Sequence, residues 1–404
     1  MTEPGAHTPF VAIACGGTGG HLFPGLAVAE QLTQRGCAVA LLISPKDVDQ
    51  QAVQSAQGLE IVTLPAVGLQ NRNYFAFAAS FLKSLFAARK IFRRRKPDAV
   101  LAMGGFTGAP PVWVGMEIGA RTFLHESNTI PGRANRLLAR FVDEAFVGFP
   151  EAATRLKARK ITPTGTPVRP QFSPDAGRRT PDANCRQALG LDPDRLTVLV
   201  VGGSQGASGL NEMILSALPL LAKKDWQWLH LAGARDFVKV KAAYAARGLS
   251  AVVKPFLAEM DLALGAATVA VSRAGASSLA ELAAMRLPSL LVPFPAAANN
   301  HQFQNARAFE ATRAARLLEQ KGATAEKVAE AVAELVENRE ALFQMRTALA
   351  QWHSPKAAER IAENILSQVF RNANSLSAPL TQDGHSRPDR PRSNQLKREH
   401  LSTV

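Results

Sequence analysis

The sequence predicts an α/β protein built as two doubly wound, parallel-sheet halves, and three observations predict it. Short apolar runs alternate with helical spacing from residue 10 to about 150. Glycine-rich turns follow several of those runs directly. The opening strand, glycine loop and helix then recur near residue 197. A chain of 404 residues has room for two such cores. The reading divides it into an N-terminal half (1–165), a Pro- and charge-rich linker (166–196), a C-terminal half (197–352), a C-terminal helix (353–370) and a disordered polar, basic tail (371–404).

Phe10 to Ala14 has nothing polar to expose, as expected of a buried parallel strand. Cys15-Gly16-Gly17-Thr18-Gly19-Gly20-His21 follows, then a helix with apolar spacing through Leu26, Ala29 and Leu32, Pro24 in its first turn and Gly36 to end it. Glycine lets an anion approach the backbone, and the helix start offers N–H groups and roughly half a positive charge. A phosphate or diphosphate suits such a turn. It is not the dinucleotide fingerprint, because Leu22 stands where the third glycine belongs. The second strand, Val39 to Ile43, also ends in Ser44-Pro45 with no acidic residue for a ribose. A P-loop is excluded too, since no Gly-Lys-Ser/Thr follows. His21 is the unusual member of the turn, and the bland reading of it is a histidine that packs.

After a strand at Ile61 to Leu64, residues 74–96 hold seven basic side chains and no acidic one. At helical spacing Phe77, Phe81, Leu85 and Phe92 share one face, with Lys83, Lys90 and Arg94 opposite. Phe75, Leu82 and Phe86 widen the apolar arc beyond what packing needs, which points to an anionic-membrane contact. A strand at Ala99 to Met103 runs into Gly104-Gly105-Phe106-Thr107-Gly108, and one at Arg121 to Leu124 into His125-Glu126-Ser127-Asn128. These polar and glycine-rich ends lie where open α/β sheets bind ligands.

In the second half, Thr197 to Val201 precedes Gly202-Gly203-Ser204-Gln205-Gly206 and a helix from Leu210 to Leu221. Further strands are expected at Gln227 to Leu231, Val252 to Lys254, Thr268 to Val271 and Ser289 to Val292. Ser272 to Ala280 reads as a small-residue loop entering a helix, with Glu281 one turn in and placed to accept from two ribose hydroxyls. Asn299, Asn300, His301, Gln302 and Asn305 cluster after Pro293, and amides that both donate and accept suit sugar hydroxyls. Residues Ala323 to Val369 are helical by pattern.

Three cysteines, Cys15, Cys37 and Cys185, form neither a metal spacing nor a disulfide framework. The first ten residues lack a signal-peptide core, and the long uncharged window from Ala99 to Met116 is broken by glycines and prolines, so a cytosolic protein is expected. The net charge is +14, of which six basic and three acidic residues from Arg371 onward supply +3, leaving +11 on the folded part. That balance invites an anionic partner, nucleic acid or membrane. The D-x-D triplet Asp192-Pro193-Asp194 reads as a turn and not as a metal clamp.

Two Rossmann-like halves facing across a cleft resemble the GT-B glycosyltransferases. The ordered motifs Gly16 to His21, Gly104-Gly105-Phe106, His125-Glu126-Ser127-Asn128, Pro167-Val168-Arg169, Gly202 to Gly206, Arg273 to Glu281 and His301-Gln302 resemble the MurG family over roughly residues 10–368. The resemblance implies inverting transfer of N-acetylglucosamine from UDP-N-acetylglucosamine to the C4 hydroxyl of the muramyl sugar in lipid I, giving lipid II for peptidoglycan synthesis, cell shape and division. It implies a donor set of Thr18, Gly19, Gly20, Asn128, Arg169, Ser204, the Leu257 backbone, Ala276, Ser277, Ser278, Leu279, Ala280, Glu281 and Gln302. It places the acceptor diphosphate on Gly17, Gly104, Gly105 and Phe106, and the undecaprenyl chain in the membrane beside Phe75, Phe81, Leu82, Leu85 and Phe86.

His21 is the candidate base, since an imidazole pKa near 6.5 suits proton acceptance at neutral pH, although it could instead orient the acceptor. Neither a metal nor a cofactor is implied, and nucleic acid is not an expected partner. The expected location is peripheral, on the cytoplasmic face of the inner membrane. Ser127, Thr166 and Asn299 depart from the family, which often has Gln, Asn and an acidic residue there. Another GT-B transferase, a UDP-N-acetylglucosamine 2-epimerase and a non-catalytic basic membrane or nucleic-acid binder are the competing readings.

Overall fold

The structure, a computed structural model, describes residues 7–17, 19–46, 50, 58–65, 74–172, 181–203 and 206–377. Strands β1 (Phe10–Ala14), β2 (Ala38–Ile43), β3 (Glu60–Thr63), β4 (Ala99–Ala102), β5 (Arg121–Glu126), β6 (Glu144–Val147) and β7 (Ile161–Pro163) form one sheet. Its order is β3-β2-β1-β4-β5-β6-β7 and every pair is parallel. Strands β8 (Leu196–Val201), β9 (Trp226–Leu231), β10 (Ala251–Lys254), β11 (Val269–Ser272), β12 (Ser289–Leu291) and β13 (Arg316–Leu317) form the second. Its order is β10-β9-β8-β11-β12-β13, again all parallel. The two doubly wound halves expected from the sequence are both present.

Helices α1 (Gly19–Gln34), α2 (Tyr74–Arg94), α3 (Ala109–Glu117), α4 (Arg133–Leu138) and α5 (Pro150–Ala153) belong to the first half. The second half contains α6 (Ala183–Ala188), α7 (Ser208–Leu221), α8 (Phe237–Ala245), α9 (Met260–Ala266), α10 (Ala276–Ala284), α11 (His301–Ala311), α12 (Ala325–Glu337) and α13 (Arg339–Trp352). The period of two along β1 sorts the core: Val11 and Ile13 face α1, while Ala12 and Ala14 face the side covered by Phe92 of α2 and Val112 of α3. Completely apolar central strands are what helices on both faces demand.

The last helix, α14 (Ala357–Ser377), returns to the first half. Its Ile361, Ala362, Ile365 and Val369 join the α1 side of that core. Gln368 donates to the buried Glu144 carboxylate at 2.5 Å, and Arg35, just after α1, pairs with Glu359 at 3.5 Å. Between the halves, Phe149 packs with Phe309 and Trp352, whose rings stack with centroids 4.3 Å apart.

Four elements differ from the sequence expectation. Helix α1 starts at Gly19, so Pro24 lies inside it, not in its first turn. Residues 276–280 are helical, forming the start of α10 rather than a loop. The helical stretch from Ala323 divides into α12, α13 and α14, with Asn338 ending one helix and capping the next through its Oδ1 to the Ala341 N–H, at 2.9 Å. Helix α14 runs on to Ser377, into the segment expected to be disordered; the rest of that tail lies outside the described residues.

Candidate active site

Each sheet has a switch point where the strand order reverses, between β1 and β4 in the first half and between β8 and β11 in the second. The loops leaving such neighbours diverge and open a crevice at the carboxyl ends of the strands. In the first half the turn after β1 is held from several sides. Thr107 Oγ1 donates to the Gly16 carbonyl at 2.6 Å and Lys46 Nζ to the Gly17 carbonyl at 2.9 Å. Gly17 has φ +113°, and Phe106 lies beside it.

His21, in the first turn of α1, packs its ring on the second loop. A Cβ at Gly104 would lie 2.8 Å from His21 Cε1, and one at Gly105 would lie 3.4 Å from its Nε2. Both glycines also have positive φ, so the absence of a side chain and the left-handed backbone together make the seat for the imidazole. Gly17, Gly104, Gly105, Phe106 and His21 are therefore brought together.

The end of β5 is organised by Glu126, whose buried carboxylate accepts four hydrogen bonds. They come from the Asn128 N–H (2.9 Å), Asn128 Nδ2 (3.0 Å), the Gly132 N–H (3.0 Å) and Asn135 Nδ2 (2.7 Å). His125 is fully buried between Ser127 Oγ (3.2 Å) and the Gly165 carbonyl (3.1 Å), and burial pushes its pKa down to about 4. It is a neutral strut at the start of the linker.

In the second half α10 begins at Gly275, which caps it with an extended backbone; among the described residues no side chain caps this end. The Leu279 N–H is already used on the Gly275 carbonyl at 2.9 Å, so the donors that this turn offers are those of Ala276, Ser277 and Ser278. Ala276 and Leu279 bury their side chains in the core, and so does Leu257. Glu281 follows one turn on. Burial pushes its carboxyl up to about 7, against the pull of the Arg169 guanidinium. Arg169 lies over the Phe23 ring of α1 at 4.3 Å and near Phe172 at 5.1 Å, and burial lowers its own pKa.

The two crevices touch. Pro24 has no N–H, so the Gly20 carbonyl lacks its helical donor, and Ser277 Oγ donates to it at 3.0 Å. Gly20 and Ser277 thus join the first-half turn to the start of α10. Gln302, in the first turn of α11, accepts the Phe294 N–H at 2.9 Å. Thr18 and Ser204 lie outside the described residues.

Sequence reasoning missed one contributor, Asp236, and gave no role or a different one to two others. Arg273, inside the quoted motif, donates to the carbonyls of Val292 (3.0 Å) and Pro293 (3.1 Å) and to Gln320 (2.7 Å), holding the strand-end loop that carries Phe294. Asp236 flanks the start of α7, accepting from Ser208 Oγ at 2.5 Å and Asn211 Nδ2 at 2.8 Å. Asn305 was read with the sugar-binding amides, yet it is completely buried and bonded to the other half. Its signal was available, since it shares the inward stripe of α11 with Ala306 and Phe309. The Asp192 triplet is a turn, with the Asp194 N–H on Asp192 Oδ1 at 2.9 Å.

This arrangement, two crevices of Rossmann-like sheets with a histidine on one side and, on the other, a carboxylate and a helix start that no side chain caps among the described residues, fits a two-domain sugar transferase. Family models agree: residues 11–147 match the glycosyltransferase family 28 N-terminal domain and residues 197–361 its C-terminal domain. More narrowly, the chain belongs to the family of UDP-N-acetylglucosamine–N-acetylmuramyl-(pentapeptide) pyrophosphoryl-undecaprenol N-acetylglucosamine transferases. It is 36% identical to the one from Anaeromyxobacter sp. (strain Fw109-5) over 386 residues, covering 94% of this chain and 98% of the relative. The one from Bacillus licheniformis is 32% identical over 370 residues, covering 90% and 99%.

Among solved structures, Acinetobacter baumannii MurG superimposes with a TM-score of 0.69 at 27% identity, covering 89% of this chain and all of that one. A UDP-N-acetylglucosamine 2-epimerase shares the fold, with a TM-score of 0.65 at 12% identity and coverage of 92% and 99%.

Proposed function

We infer that this chain transfers N-acetylglucosamine from its UDP donor to the C4 hydroxyl of the muramyl sugar of lipid I, with inversion, to form lipid II. The observation that carries the reading is the direct contact of the two crevices at Ser277 and Gly20, in a chain with family identity along nearly its whole length. The donor diphosphate belongs at the Ala276 to Ser278 turn, where backbone N–H groups and the helix dipole meet the leaving charge. Arg169 adds a cation at the junction, Glu281 takes the ribose hydroxyls and Gln302 the sugar. His21 takes the proton of the attacking hydroxyl as the bond from C1 to the diphosphate breaks. Gly17, Gly104, Gly105 and Phe106, beside it, form the acceptor's diphosphate site. The test is transfer of radiolabelled N-acetylglucosamine to a short-chain lipid I analogue. Lipid-linked disaccharide is expected; no product with a verified acceptor would refute the reading.

The acceptor's membrane anchor suits the outer face of α2. Phe75 is 92% exposed, Phe86 64% and Leu82 52%, whereas Phe81 and Leu85 are half-buried and Ser84, Ala88 and Phe92 make the packed side. The ridge extends further than the sequence indicated, through exposed Trp113 of α3 to Phe141, with ring centroids 6.1 Å apart. Arg89 and Trp113 share the Glu117 carboxylate, which joins the two helices. Among the described residues no helix is long and apolar enough to cross a membrane. A peripheral site on the anionic cytoplasmic leaflet is the proposal. Each basic residue near such a surface contributes about 1 kcal/mol, so reversing Arg93, Arg94 and Arg95 to Glu should lower partitioning onto phosphatidylserine vesicles by roughly a hundredfold. Unchanged partitioning would leave α2 a purely structural helix.

A further inference from the structure

Asn305 of α11 is completely buried, and both ends of its amide are fully used. Oδ1 accepts from the Thr129 N–H at 3.0 Å and from Thr129 Oγ1 at 2.9 Å; Nδ2 donates to Asn128 Oδ1 at 3.0 Å and to the Ala274 carbonyl at 3.1 Å. The orientation is not ambiguous, because the Thr129 N–H can only donate and the Ala274 carbonyl can only accept. The same logic fixes Asn128, whose Nδ2 points to the Glu126 carboxylate.

These bonds join three segments. Ala274 immediately precedes Gly275, the cap of α10. Asn305 lies three residues after Gln302 on α11. Asn128 and Thr129 belong to the other half, on the Glu126-centred loop. That loop includes Asn135, whose Nδ2 lies 3.2 Å from where a Cβ at Gly104 would be, beside the His21 ring. A continuous polar path therefore runs from the start of α10 through Asn305, Asn128, Glu126 and Asn135 to the seat of His21.

We propose that Asn305 is a positioning residue that sets the diphosphate-facing end of α10 against the loop seating His21, so that donor and acceptor groups meet in reacting register. The proposal rests on the transferase reading for its catalytic consequence, but the junction is testable without it. Asn305→Asp keeps the shape and turns the two-donor end into an acceptor facing two acceptors. Thr129→Val keeps the N–H and removes only the hydroxyl.

The experiment measures hydrogen exchange across residues 127–132, transfer kcat with both substrates saturating, and the Kd of UDP alone. Displacing reacting groups by about 1 Å costs up to a hundredfold in rate, so Asn305→Asp should lower kcat about ten- to a hundredfold while UDP Kd stays within roughly threefold. Exchange at 127–132 should accelerate although the substitution lies in the other half. Thr129→Val should give a smaller loss, and the pair should be non-additive. Unchanged exchange at 127–132 in either soluble variant overturns the junction. A kcat loss matched by an equal loss of UDP affinity overturns the positioning role in favour of a local defect. Absence of transfer by the wild-type chain would instead refute the transferase reading, and the exchange result would still decide the junction. If Asn305→Asp does not fold, the Thr129→Val variant decides between the same outcomes.

Discussion

The two halves open with the same strand, glycine turn and helix, yet they use it differently. In the first half the backbone acceptors of the turn are taken: Gly16 by Thr107, Gly17 by Lys46 and Gly20 by Ser277. The result is a rigid bed that fixes one side chain, His21. In the second half the matching helix, α7, is flanked by its own carboxylate, Asp236, held below the usual range chiefly by the Ser208 hydroxyl. The start of α10, at the same switch point, has no such side-chain cap among the described residues. One motif can thus immobilise a reactive group, satisfy itself, or leave its N–H groups for a ligand. What surrounds the turn decides which.

If the first half serves chemistry and the second serves binding, substitutions should separate kcat from KM. The largest effect is expected from His21→Ala, a loss of about 10²- to 10⁴-fold in kcat with donor KM nearly unchanged. A raised donor KM with normal kcat would break the comparison at once. Glu281→Ala should do the reverse, raising donor KM on the order of tenfold, as expected for a lost charge-assisted hydrogen bond to a half-buried carboxylate.

Protonation sharpens the same point. With its pKa near 7, the Glu281 carboxyl is neutral below that pH and ionised above it. Donor KM should fall as pH rises from 6 to 8 in wild type and stay flat in Glu281→Gln. The stability effect has the opposite sense. A folded-state pKa raised from 4.5 stabilises fully below pH 4.5, and this contribution is lost as pH rises through about 7. Glu281→Gln should therefore raise Tm relative to wild type at pH 8 and leave it close to wild type at pH 4.5; a uniform shift would mean the carboxyl is not titrating there. The smallest effect is expected from Asp236→Asn, a stability loss of about 1 kcal/mol by denaturant titration with donor KM within twofold. A donor KM change as large as that of Glu281→Ala would show that α7, not α10, holds the diphosphate.

Much of this plan could be read from residues whose environment is local. β1 is apolar throughout because helices cover both of its faces, and that shows in five consecutive letters. The glycine turns announce themselves because positive φ and close approach exclude side chains, as at Gly104. The strands not anticipated were short elements without that pattern: β6, next to the sheet edge, contains the buried Glu144, and the edge strands β7 and β13 end in Pro163 and have only two residues, respectively. Nor could spacing alone show the start of α1, since Pro24 is a conventional first-turn residue and sits further in only because Ser277, distant in sequence, supplies the donor that the Gly20 carbonyl lacks. Asn305 illustrates the same limit. Its residue type suits a sugar, and although its helical stripe marks it as buried, three of its four hydrogen bonds are to Asn128 and Thr129 of the other half, which spacing does not show.

The return of α14 to the first sheet bears on how the chain is made. Ile361, Ala362, Ile365 and Val369 complete one face of the N-terminal core, with Ile361, Ile365 and Val369 each contributing about 1.5–3 kcal/mol. On the ribosome this first domain is synthesised early, but its last structural layer emerges only after the whole second domain. The nascent N-terminal sheet must wait with the α1 side uncovered. Folding of the two domains is thereby coupled in time, and the first one made is the last one finished.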